Sequence, residues 1–98
     1  MARVELALAA VDDLDRLIQT HSLPADTRAR VARSLRPLAQ FLRLGPALVE
    51  RWDGYRLILG PWRWLLIVYV HIEKEDRVVV VTMQDARSSS AVTSQINE

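Results

Sequence analysis

The 98-residue chain carries thirteen basic and twelve acidic residues, a net charge of +1, half hydrophobic residues and no cysteine. That composition fits one compact domain with a single core and excludes a disordered chain, disulfides and thiolate metal sites, so a reducing cytosol is the expected compartment. Three glycines rule out a phosphate-cradling loop, and two histidines argue against a histidine-rich metal site. The longest apolar run, Trp64 to Val70, is far below the ~18 residues of a membrane span, and Glu5 and Asp12, Asp13 and Asp15 do not fit a signal peptide. No cofactor, metal or membrane partner is expected.

Arg3 to Leu8 alternates as a short strand. A helix follows over about Ala10 to Thr20, with Val11, Leu14, Leu17 and Ile18 on one stripe and Asp12 and Asp13 in the first turn. His21-Ser22-Leu23-Pro24 is a break, and His21 reads as a helix-end or surface residue. A second helix starts near Ala25, with Val31, Leu35, Leu38 and Leu42 as its stripe. Pro37 must kink or stop it, because it lacks the amide and crowds the carbonyl of Arg33. Leu44-Gly45-Pro46 ends the helical region, with Gly45 suited to a left-handed cap.

The second half reads as sheet. Tyr55 to Leu59 is a strand, Gly60-Pro61 a turn, Trp62 to Ile72 a long strand, Glu73 to Asp76 a charged turn, and Arg77 to Met83 a final strand. The run Val78 to Val81 implies burial on both faces and a central position. The predicted fold is α+β in the order βααβββ, a helical hairpin packed on one face of a small, mostly antiparallel sheet. Residues 1–87 form one domain, and the polar tail 88–98 is expected to be flexible.

The charge distribution is informative where the net charge is not. Eight arginines and three acids lie between Asp26 and Arg63. The helical ones read first as a solvated face. With a two-residue Gly60-Pro61 loop, Arg56 opposes Leu65. Arg56, Ile58, Arg63, Leu65, Ile67 and Tyr69 then share one face. Tyr55, Leu57, Leu59, Trp62, Trp64, Leu66, Val68 and Val70 share the other, which is wholly apolar and is expected under the helices. Pairing Ile72 with Arg77 brings Asp85, Ala86 and Arg87 beside Arg63, so Arg56, Arg63 and Arg87 converge at one end of the sheet. His71 lies roughly 26 Å from Arg63 and does not join them. Such arginines either pair with Asp53, Asp85 or Glu50 as structural salt bridges or form a phosphate or carboxylate site. The apolar part of the arginine face is expected to be exposed and to receive a partner segment or a second copy of the chain as a homodimer.

Gly54-Tyr55-Arg56-Leu57, then Gly60-Pro61-Trp62-Arg63, a long apolar strand and a valine-rich strand resemble the RelE/ParE superfamily of bacterial toxins from type II toxin–antitoxin systems. The opening Leu8-Ala9-Ala10-Val11-Asp12-Asp13-Leu14 is similar to that family's strand-to-helix start, and the likeness runs over about residues 3–89. The resemblance implies a growth inhibitor neutralised by a cognate antitoxin. RelE-like members cut mRNA on the ribosome, and ParE-like members act on DNA gyrase. Matched singly, Arg56, Arg63 and Arg87 correspond to basic residues that contact RNA phosphates and would serve as catalytic residues of an mRNA interferase. No tyrosine or histidine follows His71, so a base for the ribose 2′-hydroxyl is missing there, and arginine is a poor one. Asp85 could act as base only with a raised pKa, which neighbouring arginines oppose. An RNA-directed translation inhibitor, a gyrase inhibitor and a decayed toxin that only binds its antitoxin are therefore the three expectations.

Overall fold

The computed structural model describes residues 2–87, so the tail expected over 88–98 lies outside the described residues. Strand β1 (Arg3–Leu6) leads into helix α1 (Leu8–His21) and helix α2 (Thr27–Leu35). Strands β2 (Arg56–Leu59), β3 (Leu65–Ile72) and β4 (Arg77–Asp85) follow, giving βααβββ as expected. The sheet order is β1-β4-β3-β2; β1 runs parallel to β4 and the other pairs are antiparallel. The valine-rich strand is central as expected, with Val78 and Val80 buried on one face and Val79 and Val81 half-buried on the other. No helix among the described residues is long and apolar enough to cross a membrane.

Helix α1 begins two residues earlier than the pattern indicated, because Ala7 is extended and its carbonyl already accepts from Ala10 and Val11. Asp12 and Asp13 therefore lie beyond the first turn. The helix stops at Ser22, which takes a left-handed conformation (φ 50°), with the Leu23 amide returning to Ile18 O at 3.0 Å. In α2 the buried Thr27 hydroxyl donates to Pro24 O at 2.6 Å, and Val31 and Leu35 face the core. Pro37 acts as expected: the α-helix ends at Leu35 and a 3₁₀ turn continues over Arg36–Ala39. Gly45 is not a left-handed cap, because the helical region has already ended. Its glycine is required by close approach, since a Cβ there would lie 1.8 Å from Leu57 O.

Two expectations about the sheet are corrected. The Gly60-Pro61 turn is wider than two residues, because proline is unsuited to the second position of a tight hairpin loop. The loop spans 60–64 and closes with Gly60 N–H to Leu65 O at 2.8 Å and Leu65 N–H to Trp62 O at 3.0 Å. Arg56 consequently pairs with Tyr69, not Leu65. The shift of four residues is even, so the paired residues of β2 and β3 keep their expected face partners, whereas Trp62 and Trp64, expected beside Leu66 and Val68, lie in the loop and pack against the core of Leu65 and Ile67. The helices, however, cover the opposite face from the one expected. Ile58, Leu65, Ile67 and Tyr69 are buried with Ala10, Leu14, Val31, Leu35 and Leu38 in the main core. The other face, Leu57, Leu66 and Val68, packs under Leu48, Trp52 and Tyr55 from the segment preceding β2. Both faces are apolar, and alternation alone does not say which one receives helices. The face expected to await an antitoxin or a second copy is thus filled by the protein's own core, and that docking expectation is withdrawn.

Strands β3 and β4 pair from Ile72↔Arg77, as expected, but the register changes between Tyr69↔Val80 and Val68↔Thr82. Val81 is the extra residue of a bulge. Because side chains alternate, the bulge returns Met83 and Asp85 to the helix side, the side that Val78 and Val80 occupy on the other flank. Asp13 of α1 sits against this point. Its Oδ2 accepts from Thr82 Oγ1 at 2.5 Å and from the Met83 amide at 3.2 Å. Strand β1 ends at Leu6, opposite Val80, so beyond that residue Asp13 supplies an acceptor that β1 no longer can. Asp13→Ala should therefore lower stability by about 1–3 kcal/mol through the unpaired Met83 amide, read as a lower midpoint in urea unfolding.

Candidate functional site

Where β4 ends, the bulge presents Asp85 toward the last turn of α1. His21 continues the Leu14, Leu17, Ile18 stripe at helical spacing, so its ring also points toward the sheet. His21 Nε2 lies 3.1 Å from Asp85 Oδ2, and its ring centroid lies 4.8 Å from that of Trp64. The side chains are largely but not fully covered, 27% exposed for His21 and 18% for Asp85. The contact is one of ion-pair distance; neither ring nitrogen of His21 makes a hydrogen bond among the described residues.

Asp85 also organises Arg87. Its Oδ1 accepts from Arg87 Nε at 3.0 Å and from the Arg87 amide at 2.9 Å, and its Oδ2 accepts from Arg87 Nη2 at 2.9 Å. These bonds from Arg87 hold the Asp85 carboxyl at about 2, below its usual 3.8, and raise Arg87 in turn. An ionised carboxylate so held is a poor base but a good orienting group.

The guanidinium of Arg87 lies 5.2 Å over the Trp64 ring. Trp64 stacks on Trp62 at 5.8 Å and 11°, and Arg30 of α2 lies 5.8 Å over Trp62. Arg30 is held in turn by Asp26 at 3.0 Å. The row Arg30, Trp62, Trp64, Arg87 therefore ties the loop 60–64 to α2 at one end and to the residues after β4 at the other. The Ala86 amide donates to Trp64 O at 2.7 Å and joins the same loop to the end of β4.

The three arginines singled out from the sequence do not all meet. Arg87 is in this cluster. Arg63 is exposed on the 60–64 loop, between the two indoles in sequence, with no ion pair or hydrogen bond among the described residues. Arg56 is elsewhere. It faces Tyr69, four residues along β3 from Leu65, a separation of roughly 13 Å. Its Nη1 donates to Gly45 O at 2.8 Å. Beside it the Tyr69 hydroxyl accepts from the Gly45 amide at 3.1 Å and donates to Leu42 O at 3.0 Å. Burial pushes the Tyr69 phenol above its ordinary value, opposed by the Gly45 amide and by Arg56. Of the expected salt bridges to the site arginines, Asp85–Arg87 forms. His71 stays apart, as expected, 3.4 Å from Asp76 at the other end of β3. His21 and the two tryptophans are the members that sequence reasoning did not bring to the site. The helical spacing 14, 17, 18, 21 was the signal for His21.

No protein-family model matches the chain, and no curated protein matches it in sequence. Solved structures do match in shape. A chain of the chromosomal ParDE toxin–antitoxin system from P. aeruginosa superposes with a TM-score of 0.68 at 12% identity, covering 89% of this chain and 98% of that one. A chain of the intact E. coli RelBE toxin–antitoxin complex gives 0.64 at 14% identity, covering 90% and 100%. The isolated E. coli RelE toxin gives 0.63 at 14%, covering 92% and 89%. The chain thus has the RelE/ParE-like α+β fold, at identities that carry the fold and not the chemistry.

Arg56→Ala should lower the melting temperature, because it leaves the Gly45 carbonyl without its charged donor, whereas Arg63→Ala should leave melting unchanged; thermal unfolding of the two variants checks both. The Asp85 carboxyl is lower in the folded state than its usual value, so its contribution is full above pH 3.8 and is lost as the pH falls toward about 2. The loss of melting temperature over that window should be smaller in Asp85→Asn than in the wild type.

Proposed function

We propose that this protein is the toxin of a toxin–antitoxin pair, neutralised by a cognate antitoxin, and that it arrests growth by acting on RNA during translation. The observation that carries the toxin reading is the RelE/ParE-like fold, which extends over about nine-tenths of the chain in matches that include toxin–antitoxin complexes. The RNA limb is supported by the end of the sheet where Trp62 and Trp64 stack, Arg30 and Arg87 flank them, and Arg63 stands exposed between them in sequence. Single-stranded RNA is bound by aromatic faces that stack bases and by guanidinium groups that take phosphate oxygens. Arg63 and Arg87 are the phosphate contacts in this reading. Arg56, tied to Gly45, supports the fold beneath.

A second reading, inhibition of a protein target such as gyrase, is favoured by one observation. The flanking guanidinium groups are already paired, Arg87 with Asp85 and Arg30 with Asp26. A phosphate must compete with those carboxylates, whereas a protein surface need not.

Expressed alone from a tightly repressed promoter, the protein should stop growth and block cell-free translation while leaving gyrase supercoiling intact. Arg63→Ala should weaken RNA binding by about 1.5–3 kcal/mol, roughly ten- to a hundredfold, with folding preserved. Lysine at that position should restore only part of it, since it lacks the bidentate fork. Blocked supercoiling with normal translation would favour the second reading. Normal growth with soluble protein present would overturn the toxin reading itself.

A further inference from the structure

We infer that two copies of this chain pair through the free edge of β1, antiparallel and centred on Glu5, so that one sheet runs across both. The surface is not the sheet face withdrawn above, and the pairing does not depend on the toxin or RNA readings. The sheet has two edges, and the chain covers one of them. Along β2, Ala47 bridges to Arg56, the Leu57 amide donates to Pro46 O at 3.2 Å, and the Leu48 amide donates to Tyr55 O at 2.9 Å. The β1 edge is different. The Arg3 amide donates to Asp76 O at 3.2 Å and the Ala7 amide to Val80 O at 2.9 Å, so odd-numbered residues turn their amides toward β4. Even-numbered residues turn theirs outward. The Ala2 amide donates to Ala39 O at 2.9 Å, whereas those of Val4 and Leu6 meet no partner among the described residues. An open edge of this kind is a template for another strand.

The ends of the open stretch fix the register. Ala39 closes the edge at Ala2, and α1 begins at Leu8. Val4 to Leu6 is left, with Glu5 at its centre. A two-fold axis there sets Val4 opposite Leu6 of the second copy, and Leu6 opposite its Val4. Both pairs have outward amides and carbonyls, so each exchanges both of its N–H···O=C bonds across the axis. Centring on Val4 would drive Leu6 of the second copy against Ala39. Centring on Leu6 would need Leu8 as a strand residue, and it is already helical.

The side chains select a copy of the same chain. Val4 and Leu6 lie on the helix side, where Ala2, Val4, Leu6, Leu35, Arg36 and Ala39 line a groove of about 490 Å³. In this register Leu8 of the second copy comes opposite Ala2, at that groove. Leu8 is 76% exposed and Leu6 39%, so the single chain leaves both in contact with water. Each copy thus offers the other an apolar side chain and the groove that takes it. On the opposite side of the strand, Glu5 meets Arg3 at 2.9 Å through one oxygen and Arg77 at 2.8 Å through the other. The two Glu5 side chains come face to face across the axis, each already bracketed by its own arginines. Arg3, with its side chain 70% exposed, stands diagonally from Glu5 of the second copy, within reach of a long side chain. Positive and negative groups therefore alternate across the axis.

The test is sedimentation of the full chain over a wide concentration range, with amide hydrogen exchange read on the same samples. Wild type should rise from 11.2 kDa toward twice that mass as concentration increases. Protection of the Val4 and Leu6 amides should rise with it. Leu6→Lys sets an ammonium against Val4 in both pairs and should hold the chain at 11.2 kDa with its melting temperature kept. Val4→Pro removes an outward amide and no bond to β4, and should do the same. Leu59→Lys, at an exposed residue of the other edge strand, should leave dimerisation intact. A chain that stays at 11.2 kDa throughout would overturn the inference. Protected Val4 and Leu6 amides in that monomer would assign the edge to residues 88–98 of the same chain, and unprotected ones would leave it to a partner of another sequence. A dimer that survives Leu6→Lys, or in which the Val4 and Leu6 amides stay unprotected, would place the interface elsewhere and overturn it too. If both β1 variants fail to fold, the exchange measurement on wild type decides alone.

Discussion

The bulge at Val81 is the constraint on which the arrangement of this protein depends. On one flank Val78 and Val80 must face the helices, and on the other Met83 must do so too. A regular strand cannot satisfy both, because an odd separation places Val80 and Met83 on opposite faces. One extra residue resolves the conflict, and Asp13 stabilises the irregular backbone from the helix by accepting the Met83 amide and the Thr82 hydroxyl. The same parity change that completes the core also turns Asp85 inward to His21. Core packing and the candidate chemistry thus share one backbone irregularity.

On β3, directly beside the bulge, a buried phenol does comparable structural service. Tyr69 is fully buried, and its hydroxyl is satisfied twice, by the Gly45 amide and the Leu42 carbonyl. A buried hydroxyl without such partners would destabilise the core. The bonds pin the stretch between the helices and β2, and Arg56 reinforces it through the Gly45 carbonyl. Gly45 tolerates no side chain because the Leu57 carbonyl lies against it. Arg56, singled out from the sequence as a phosphate contact, braces this loop through the Gly45 carbonyl.

The candidate site is electrostatically balanced. Asp85 offsets Arg87, and Asp26 offsets Arg30, so the guanidinium groups over the indoles are held in place at little net charge. This differs from a basic groove that draws nucleic acid by long-range attraction. Recognition here would rest on stacking and short-range phosphate exchange, with Arg63 as the exposed cation of the loop. A partly covered imidazole lies beside the Asp85 carboxylate.

Much of the architecture is legible along the chain. The order βααβββ, the interruption at Pro37, the central valine-rich strand and the Ile72–Arg77 pairing follow from periodicity, proline chemistry and apolar runs, which are local signals. The likeness to RelE and ParE toxins drawn from Gly54–Leu57 and Gly60–Arg63 agrees with the fold. Tertiary structure decided three things. Which face of β2 and β3 lies under the helices was open, because both faces are apolar and only the segment before β2, with Leu48, Trp52 and Tyr55, could cover the second. The separation of Arg56 from Arg63 was decided by a loop four residues longer in register than a tight turn, which Pro61 precludes. The meeting of His21 with Asp85 was decided by a helix end and a bulged strand end more than sixty residues apart, a contact no local pattern encodes, although the spacing from Leu14 to His21 already placed the imidazole on the inward stripe.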